Sequence, residues 1–372
     1  MMQISPETQL FIREHSSDDV RVLALQAKKY PDIDMPTAIT QIAGRKVAAE
    51  KIPSWWEIEK IWYPKHLSLE QCSSEITARY KARLLQGDSL TDLTGGFGID
   101  CSFLATGFKS ATYVERQEEL CEIAAHNFPV LNLNHINIKN EDGVTYLQAM
   151  SPVDCLFLDP ARRNEHGGKT VAISDCEPNV AELEELLLQK ANRVMIKLSP
   201  MLDLSLALKE LKQTQEVHIL SVNNECKELL ILLGQTSPTE ISIHCVNLST
   251  KGTQEEQHFV FTREQEQCSE CTYTDSLETY LYEPNASLLK AGAFRSIAAA
   301  YPVRKLHPNS HLYTSDTFIE NFPGRIFRIV NQCSFNKKEV KENLADLKKA
   351  NVTVRNFPAT VAELRKIGRA HV

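Results

Sequence analysis

The stretch that decides the fold is TDLTGGFGID, residues 91–100. A short apolar run leads into it, and the helical pattern GIDCSFLATGF follows it. Glycines at 95, 96 and 98 are typical of a strand-to-helix turn whose backbone N–H groups approach a ligand, because glycine has no Cβ to clash. The turn could serve a dinucleotide, a nucleotide phosphate or a methyl donor, or it could be a tight turn without a ligand.

Candidate strands alternate with helical patterns on both sides of this turn, from residue 88 to about 235. The last two candidates are separated only by NNECKE, which is hairpin length. This order predicts an α/β fold, a doubly wound, seven-stranded, mostly parallel and Rossmann-like sheet with an antiparallel strand near one edge. The predicted strands are 89–93, 110–114, 136–139, 154–158, 193–197, 217–222 and 229–233.

Helical patterns precede the sheet, and SLEQCSSEITARYKARLL, residues 68–85, predicts one amphipathic helix directly before the first strand. The chain is therefore predicted to have three parts. Residues 1–80 form an N-terminal helical region, residues 81–235 form the α/β domain, and residues 236–372 form an α+β region.

The last of these parts begins with EISIHCVNLS and QHFVFTREQ, which predict a hairpin. A helix is expected over NASLLKAGAFRSIAAAY, and a helix followed by a strand over KKEVKENLADLKKANVTVRNF. The closing RKIGRAHV resembles the start of another helix, so we expect the native chain to continue beyond it.

Composition indicates a globular protein, with 42% apolar and 24% charged residues in 372. Because no run of about 18 apolar residues occurs and no basic segment precedes an apolar core at the N-terminus, we expect a cytoplasmic protein without membrane contact. The ten cysteines are widely spaced, and we expect them to be reduced thiols.

Charge is distributed unevenly along the chain. The formal net charge is −7, whereas residues 322–372 contain eleven Lys/Arg against four Asp/Glu. This basic end could contact phosphates, or it could be the solvated, Lys-rich helix of an ordinary small domain.

Acidic residues stand at the ends of the first two predicted strands. Asp92 precedes glycines by four and six residues, and Glu115 ends the second strand, whereas the G-x-G-x-x-G spacing of nicotinamide-binding turns is not met. This combination resembles the class I S-adenosyl-L-methionine-dependent methyltransferases. The resemblance implies that Glu115 binds the ribose hydroxyls of that cofactor and that Asp142 holds its adenine amino group. The expected cofactor-binding residues are Asp92, Thr94, Gly95, Gly96, Gly98, Glu115, Arg116 and Asp142, with Gln71, Ser74, Thr77 and Lys81 from the preceding helix.

The second informative motif is Asp159-Pro160-Ala161-Arg162, which follows a buried strand in DCLFLDPARR. It resembles the Asp/Asn-Pro-Pro-aromatic motif of amino-group methyltransferases and the Asp-Pro-Ala-Arg run of RNA uridine C5-methyltransferases. C5 chemistry needs a nucleophilic cysteine after the fifth strand. That place reads VMIKLSPMLD and has none, so C5 methylation is rejected.

The predicted catalytic residues are Asp159, Pro160 and Arg162. Asp159 would orient an N–H group while the proline fixes the backbone, although a plain strand-end cap is the alternative. Arg162 or Arg163 could stack on a base in place of the missing aromatic residue, bind phosphate, or form a surface salt bridge.

DLTGGFGID also resembles the turn of bacterial ribosomal guanine-N2 methyltransferases. With LDPAR, YLYEPNASLLKAGAF and HPNSHLYTSD, the chain is similar to a bacterial methyltransferase family with a C-terminal THUMP-like domain. The resemblance implies transfer of a methyl group from S-adenosyl-L-methionine to RNA (tRNA or rRNA), at an exocyclic base nitrogen such as guanine N2. A protein or small-molecule methyltransferase, or a non-catalytic RNA-binding protein, remains the alternative.

Two further features of the sequence favour structural roles. Cys268 and Cys271 have a metal-like spacing, but no second pair follows, so no metal is expected. Trp55, Trp56 and Trp62 could stack on bases, although the helical spacing of Trp55 and Trp62 favours a place in the core. The sequence leaves the oligomeric state open.

Overall fold

The structure is a computed structural model that describes residues 4–162, 172–236, 238–250, 256–345, 347 and 349–368. The chain divides into two compact units, Met1–His218 with Lys227–Ile241, and Ile219–Cys226 with Ser242–Val372. Among the described residues, no helix has both the length and the apolarity that a membrane span requires.

The chain begins with helices, as the sequence predicts. Several of them begin at a polar cap: the side chains of Ser5, Asp19 and Asp34 each accept a backbone N–H of the first turn. The helices before the sheet are α1 (Pro6–Glu14), α2 (Val20–Leu25), a 3₁₀ turn (Ala27–Lys29), α3 (Met35–Lys51), α4 (Pro53–Trp56), α5 (His66–Gln71) and α6 (Glu75–Ala82).

The single helix predicted over residues 68–85 is wrong, because the chain breaks between α5 and α6. Cys72 and Ser74 at the break have extended backbone angles, and Ser73 between them is buried. The Ser73 hydroxyl bonds to charged side chains in the interior, which a continuous amphipathic helix could not arrange. Long-range polar contacts therefore override the local helical pattern at this point.

The central sheet confirms the predicted fold class. In the described part of the chain it has nine strands, in the order β11-β10-β8-β9-β7-β4-β1-β2-β3. The pairs β1–β2, β1–β4, β2–β3 and β4–β7 are parallel, whereas β9 pairs antiparallel with β7. The strands are β1 (Ser89–Asp92), β2 (Ser110–Glu115), β3 (Ile136–Asn140), β4 (Val153–Leu158), β7 (Ala191–Leu198), β8 (Thr214–Val222), β9 (Glu225–Gly234), β10 (Ser242–Leu248) and β11 (Gln257–Thr262).

The sheet differs from the predicted one in its strand number. The hairpin β10–β11 is correctly predicted as an antiparallel pair, but it adds to the central sheet instead of the C-terminal module, so seven strands become nine. Crossover segments connect the parallel strands: α7 (Ile99–Ala105), α8 (Glu118–Val130), α9 (Gly143–Ala149), and the series β5 (Ala161–Arg162), a 3₁₀ turn (Ile173–Asp175), β6 (Cys176–Glu177) and α10 (Val180–Lys190). Helix α11 (Leu204–Glu210) leads into β8.

An apolar cluster packs the N-terminal helices against the glycine turn and its helix. Trp55 is buried in this cluster, edge-on to Phe97 at 5.2 Å between ring centroids. Trp62 is half-buried and stacks on His126 at 3.7 Å. Both tryptophans are thus part of the packing around α7 and α8.

The second unit contains a small antiparallel sheet in the order β13-β14-β12-β15. Its elements are α12 (Arg263–Cys268), β12 (Tyr280–Pro284), α13 (Ala286–Ala291), α14 (Ser296–Ala300), β13 (Arg304–Lys305), β14 (Tyr313–Ser315), β15 (Gly324–Arg328), α15 (Lys337–Asn343) and α16 (Val361–Gly368).

Two predictions for this unit are wrong. The helix expected over NASLLKAGAFRSIAAAY is two helices, because Gly292 takes a left-handed φ of 79° and ends α13. The strand expected after α15 does not form among the described residues 349–358.

Candidate active site

The glycine turn follows β1 and ends in the first turn of α7. Gly96 and Gly98 have φ values of 53° and 85°, which residues with a Cβ rarely adopt. Gly95 is constrained differently, because a Cβ there would lie 2.2 Å from the ring of Tyr113. Each glycine is therefore required by the local geometry, and the turn presents backbone instead of side chains.

Glu115 at the end of β2 fixes the turn from the neighbouring strand. Its Oε2 accepts the Gly96 N–H at 2.9 Å, and its Oε1 accepts the Gln117 N–H at 2.8 Å. The carboxylate is almost fully buried. It thus joins the ends of two adjacent parallel strands at the edge where ligands bind in open α/β sheets.

Asp92, the last residue of β1, is buried and only partly satisfied. Its Oδ1 accepts the Thr94 N–H at 2.9 Å, but its Oδ2 has no hydrogen-bond partner among the described residues. Burial raises the pKa of Asp92 to about 8, and the negative charges of Asp100, Asp159 and Glu115 act in the same direction. The side chain is therefore suited to a cationic or hydrogen-bonding partner.

Thr94 connects the two sequence motifs. The backbone N–H of Asp159 donates to Thr94 Oγ1 at 2.6 Å. Because β4 pairs with β1 in parallel, Asp159 and Pro160 at the end of β4 lie beside the glycine turn at the end of β1.

A cavity of about 1160 Å³ lies at this edge of the sheet. It brings together most of the residues selected from the sequence. These cavity-lining residues are Gln71, Asp92, Thr94, Gly95, Gly96, Gly98, Glu115, Arg116, Asp142, Asp159 and Pro160.

Three of the selected residues, Ser74, Thr77 and Lys81, are not among the described residues that line the cavity. Thr77 is buried in α6, and its hydroxyl lies 3.2 Å from that of Ser74. Lys81 is fully buried and forms ion pairs beneath the cavity. Arg162 contributes its backbone to β5, but its side chain and all of Arg163 lie outside the described residues.

Asp142 and Arg116, which line the cavity, also contact other groups of the protein. Asp142 caps α9 and accepts the N–H groups of Val144 and Thr145, both at 3.0 Å. Arg116 lies 3.5 Å from Glu177, and both side chains are exposed. A pair of this kind contributes little stability and can open for a ligand.

Sequence reasoning missed a group of charged residues next to Asp159. Lys197 Nζ, from β7, lies 2.5 Å from Asp159 Oδ2 and 3.3 Å from Asp100 Oδ2. It also donates to Ser73 Oγ at 3.1 Å. A lysine within the apolar strand VMIKL is the signal that could have identified it, because a buried charge requires partners.

The network continues from Lys197 to Lys81, which does not itself line the cavity. Lys81 Nζ lies 2.9 Å from Asp100 Oδ1 and 2.6 Å from Glu228 Oε2, and it donates to Ser73 Oγ at 2.8 Å. Ser73 in turn donates to Asp100 Oδ2 at 2.7 Å. Ion pairs and hydrogen bonds thus link α6, α7, β7 and β9 behind Asp159.

These contacts shift the pKa values of the charged groups. Burial by itself lowers the pKa of Lys197, but the carboxylates of Asp159 and Asp100 outweigh it and raise that pKa well above its ordinary value. Burial raises the pKa of Asp159, and the ammonium of Lys197 offsets only part of this effect. Burial also raises the pKa of Asp100, but the ammonium groups of Lys81 and Lys197 outweigh this effect. The pKa of Asp100 therefore lies below its ordinary value.

Comparisons with known proteins agree with this architecture. Two family models match the C-terminal part, a ferredoxin-like domain over residues 280–323 and a THUMP domain-like family over residues 324–370. No curated protein matches the chain.

Among solved structures, the chain is similar to a "putative methyltransferase" from Porphyromonas gingivalis W83, with 34% identity and a TM-score of 0.87, over 99% of this chain and 93% of that one. An rRNA methylase from Streptococcus thermophilus shows 14% identity and a TM-score of 0.31, over 43% of this chain and 93% of its own. Because its TM-score is only 0.31, the similarity to the rRNA methylase carries no further argument. The chain therefore belongs to the family of the Porphyromonas gingivalis protein, and it joins a class I methyltransferase-like fold to a C-terminal THUMP-like domain.

Proposed function

We propose that this protein transfers a methyl group from S-adenosyl-L-methionine to RNA, at an exocyclic base nitrogen such as guanine N2. The observation that carries the proposal is that Asp92, the glycine turn, Glu115 and Asp159 meet in one cavity. We assign methyl transfer to residues 81–235 and RNA binding to residues 236–372.

The cavity fits the cofactor in its chemistry. Asp92 has a buried oxygen without a partner among the described residues, which suits the cofactor's ammonium group. Gly96 and Gly98 bring backbone close to the ligand, and Glu115 can accept ribose hydroxyls. When bound, the cofactor supplies an electrophilic methyl group on a sulfonium.

The acceptor end of the cavity favours an amine as the substrate. Asp159 lies there as a carboxylate with a raised pKa, and 37% of its side chain is exposed. A carboxylate can orient an N–H group and then accept its proton, so no covalent intermediate is needed. Cys72 and Cys176 also line the cavity, but burial raises the pKa of Cys72 to about 11, which makes it a poor nucleophile.

RNA as the acceptor is supported by the second unit. The THUMP domain-like match covers the basic segment identified from the sequence. Exposed cations in its described part include Lys338, Lys341, Lys349 and Arg365. Exposed cations of this kind bind phosphates through counterion release.

The test is transfer of labelled methyl from S-adenosyl-L-methionine, with deproteinised total RNA and RNA-free protein extract as parallel acceptors. The control is Asp159→Asn, which keeps the side-chain shape. We expect label in RNA that is lost with the variant, and nuclease digestion would then identify the base. Label in the protein extract alone would refute RNA as the acceptor, and label in neither acceptor despite cofactor binding would refute transfer to free RNA.

A further inference from the structure

Lys197 is the described residue of the buried network that both contacts Asp159 and lines the cavity. It lies near the end of β7, directly beside β4, which delivers Asp159. Its side chain is only 10% exposed. A charge so deeply buried is retained only when its partners satisfy it.

Lys197 and Lys81 share two partners, Ser73 and Asp100. Ser73 Oγ accepts from both lysines, at 3.1 Å from Lys197 and 2.8 Å from Lys81. Asp100 contacts the same two lysines. The Lys197 ammonium therefore contacts Ser73 and Asp100, and it also lies 2.5 Å from Asp159 Oδ2.

The charges in the network do not balance. Two lysines, Lys81 and Lys197, face three carboxylates, those of Asp100, Asp159 and Glu228. With all five groups ionised, the network has one excess negative charge. A single added proton would neutralise it. All three carboxylates line the cavity, but the side chain of Asp159 is 37% exposed, against 9% for Asp100 and 8% for Glu228.

We infer that Lys197 is a positioning residue that holds the Asp159 carboxylate ionised and aimed into the cavity, so that Asp159 accepts the proton of the substrate nitrogen. This inference rests on the proposed function, since it concerns the acceptor side of the same reaction. In the transfer, nitrogen uses its lone pair to form the bond to carbon, and the carbon–sulfur electron pair leaves with sulfur. The N–H electron pair stays on nitrogen, and the proton passes to Asp159.

Charged groups on several elements act on Asp159. Lys197 from β7 and Lys81 from α6 favour its ionised form, whereas Asp100 from α7 opposes it. Asp92 from β1 interacts with it as a second acid. Lys197 is the dominant cation because it alone of the two lysines contacts the carboxylate, among the described pairs.

The first test measures the Asp159 carboxyl directly, so that it does not depend on turnover. Aspartate labelled with ¹³C at the side-chain carboxyl is followed by NMR over pH, and the Asp159 signal is assigned by its loss in Asp159→Asn. We expect Lys197→Met to raise the midpoint of this titration by about one to three pH units, because removal of an adjacent cation shifts a carboxyl by that amount. In Lys197→Arg, which keeps the positive charge, the midpoint of the Asp159 titration should stay close to the wild-type value.

Lys227→Met is the matched control, since Lys227 also lines the cavity but is exposed. It should leave the Asp159 midpoint within a few tenths of a unit. If Lys197→Met also leaves the midpoint unchanged, the inference is overturned, whatever the substrate proves to be.

The second test is the pH profile of kcat with RNA. Its acidic limb should move upward in Lys197→Met by the same interval as the NMR midpoint, with KM for the cofactor little changed. If the NMR midpoint moves in Lys197→Met but no label enters RNA with the wild type, RNA is overturned as the acceptor. The effect of Lys197 on the ionisation of Asp159 would then still hold. An acidic limb that stays in place while the NMR midpoint moves would overturn the proton-accepting role of Asp159.

Discussion

Thr94 accepts a hydrogen bond from the backbone N–H of Asp159 at 2.6 Å, although 65 positions separate the two residues. One belongs to the turn that would hold the cofactor, and the other belongs to the motif that would hold the acceptor. In the proposed reaction, their hydrogen bond would set the distance between the cofactor and the acceptor. Methyl transfer depends on this distance, because the reacting atoms must be held near contact and in line.

Removal of the Thr94 hydroxyl should therefore reduce turnover more than cofactor binding. We expect Thr94→Val to lower kcat by about ten- to a hundredfold, since a small misplacement of reacting groups has an effect of that size. Single-turnover transfer and equilibrium dialysis with S-adenosyl-L-methionine separate the two quantities. Thr94→Ser, which keeps the hydroxyl, should stay close to wild type. A Thr94→Val enzyme with unchanged kcat would contradict the role of this hydrogen bond.

Asp92 should make the free energy of unfolding depend on pH. Its pKa is raised from 3.8 to about 8 in the folded state, so its stabilising contribution is fully present below pH 4 and is lost as pH rises through 8. Relative to Asp92→Asn, the wild type should lose about 1 kcal/mol per pH unit between pH 5 and 8. Urea denaturation at several pH values gives the comparison.

The control for this prediction is Glu119→Gln, at a half-exposed surface carboxylate that contacts Lys65. The free energy of unfolding of this variant should change with pH as that of the wild type does, over the same pH range. If the free energies of unfolding of Asp92→Asn and wild type instead change with pH in the same way, Asp92 is ionised over the whole range and the prediction is wrong.

Gly95 should tolerate no side chain. An added Cβ would lie 2.2 Å from the ring of Tyr113, which is fully buried and cannot move freely. We expect Gly95→Ala to reduce the free energy of unfolding by about 1–3 kcal/mol, the usual effect of overpacking a core. Gly107→Ala is the matched control, because the nearest atom to its added Cβ is 3.7 Å away. Equal stability of the two variants would contradict the packing described here.

The basic C-terminal segment should bind RNA in a salt-dependent way. Replacement of Lys338 and Lys341 by alanine should weaken RNA binding and make the slope of log K against log [salt] shallower by about 0.7 for each phosphate that is no longer neutralised. The matched double variant removes Lys28 and Lys29, two exposed lysines of the N-terminal region, and should leave the slope unchanged. Filter binding at several salt concentrations provides the measurement. Equal slopes in both double variants would place the RNA-binding surface elsewhere.

The sequence by itself determined what depends on short stretches of chain. The glycine turn, the acidic residues that end β1 and β2, the Asp159-Pro160 motif and the alternation of strands with helices are local patterns. Each follows from backbone sterics or from hydrophobic periodicity within about ten residues. These patterns were enough to predict the fold class, and most of the residues selected from them line the cavity.

Only the tertiary structure decided which distant side chains meet. Ser73, Lys197 and Glu228 lie far apart in the chain and become neighbours because β7 lies between β4 and β9. The break between α5 and α6 has the same origin, since the bonds of Ser73 to Lys81 and Asp100 outweigh one more turn of helix. A buried charge gains its stability from partners supplied by several elements, and no local pattern specifies which partners those are.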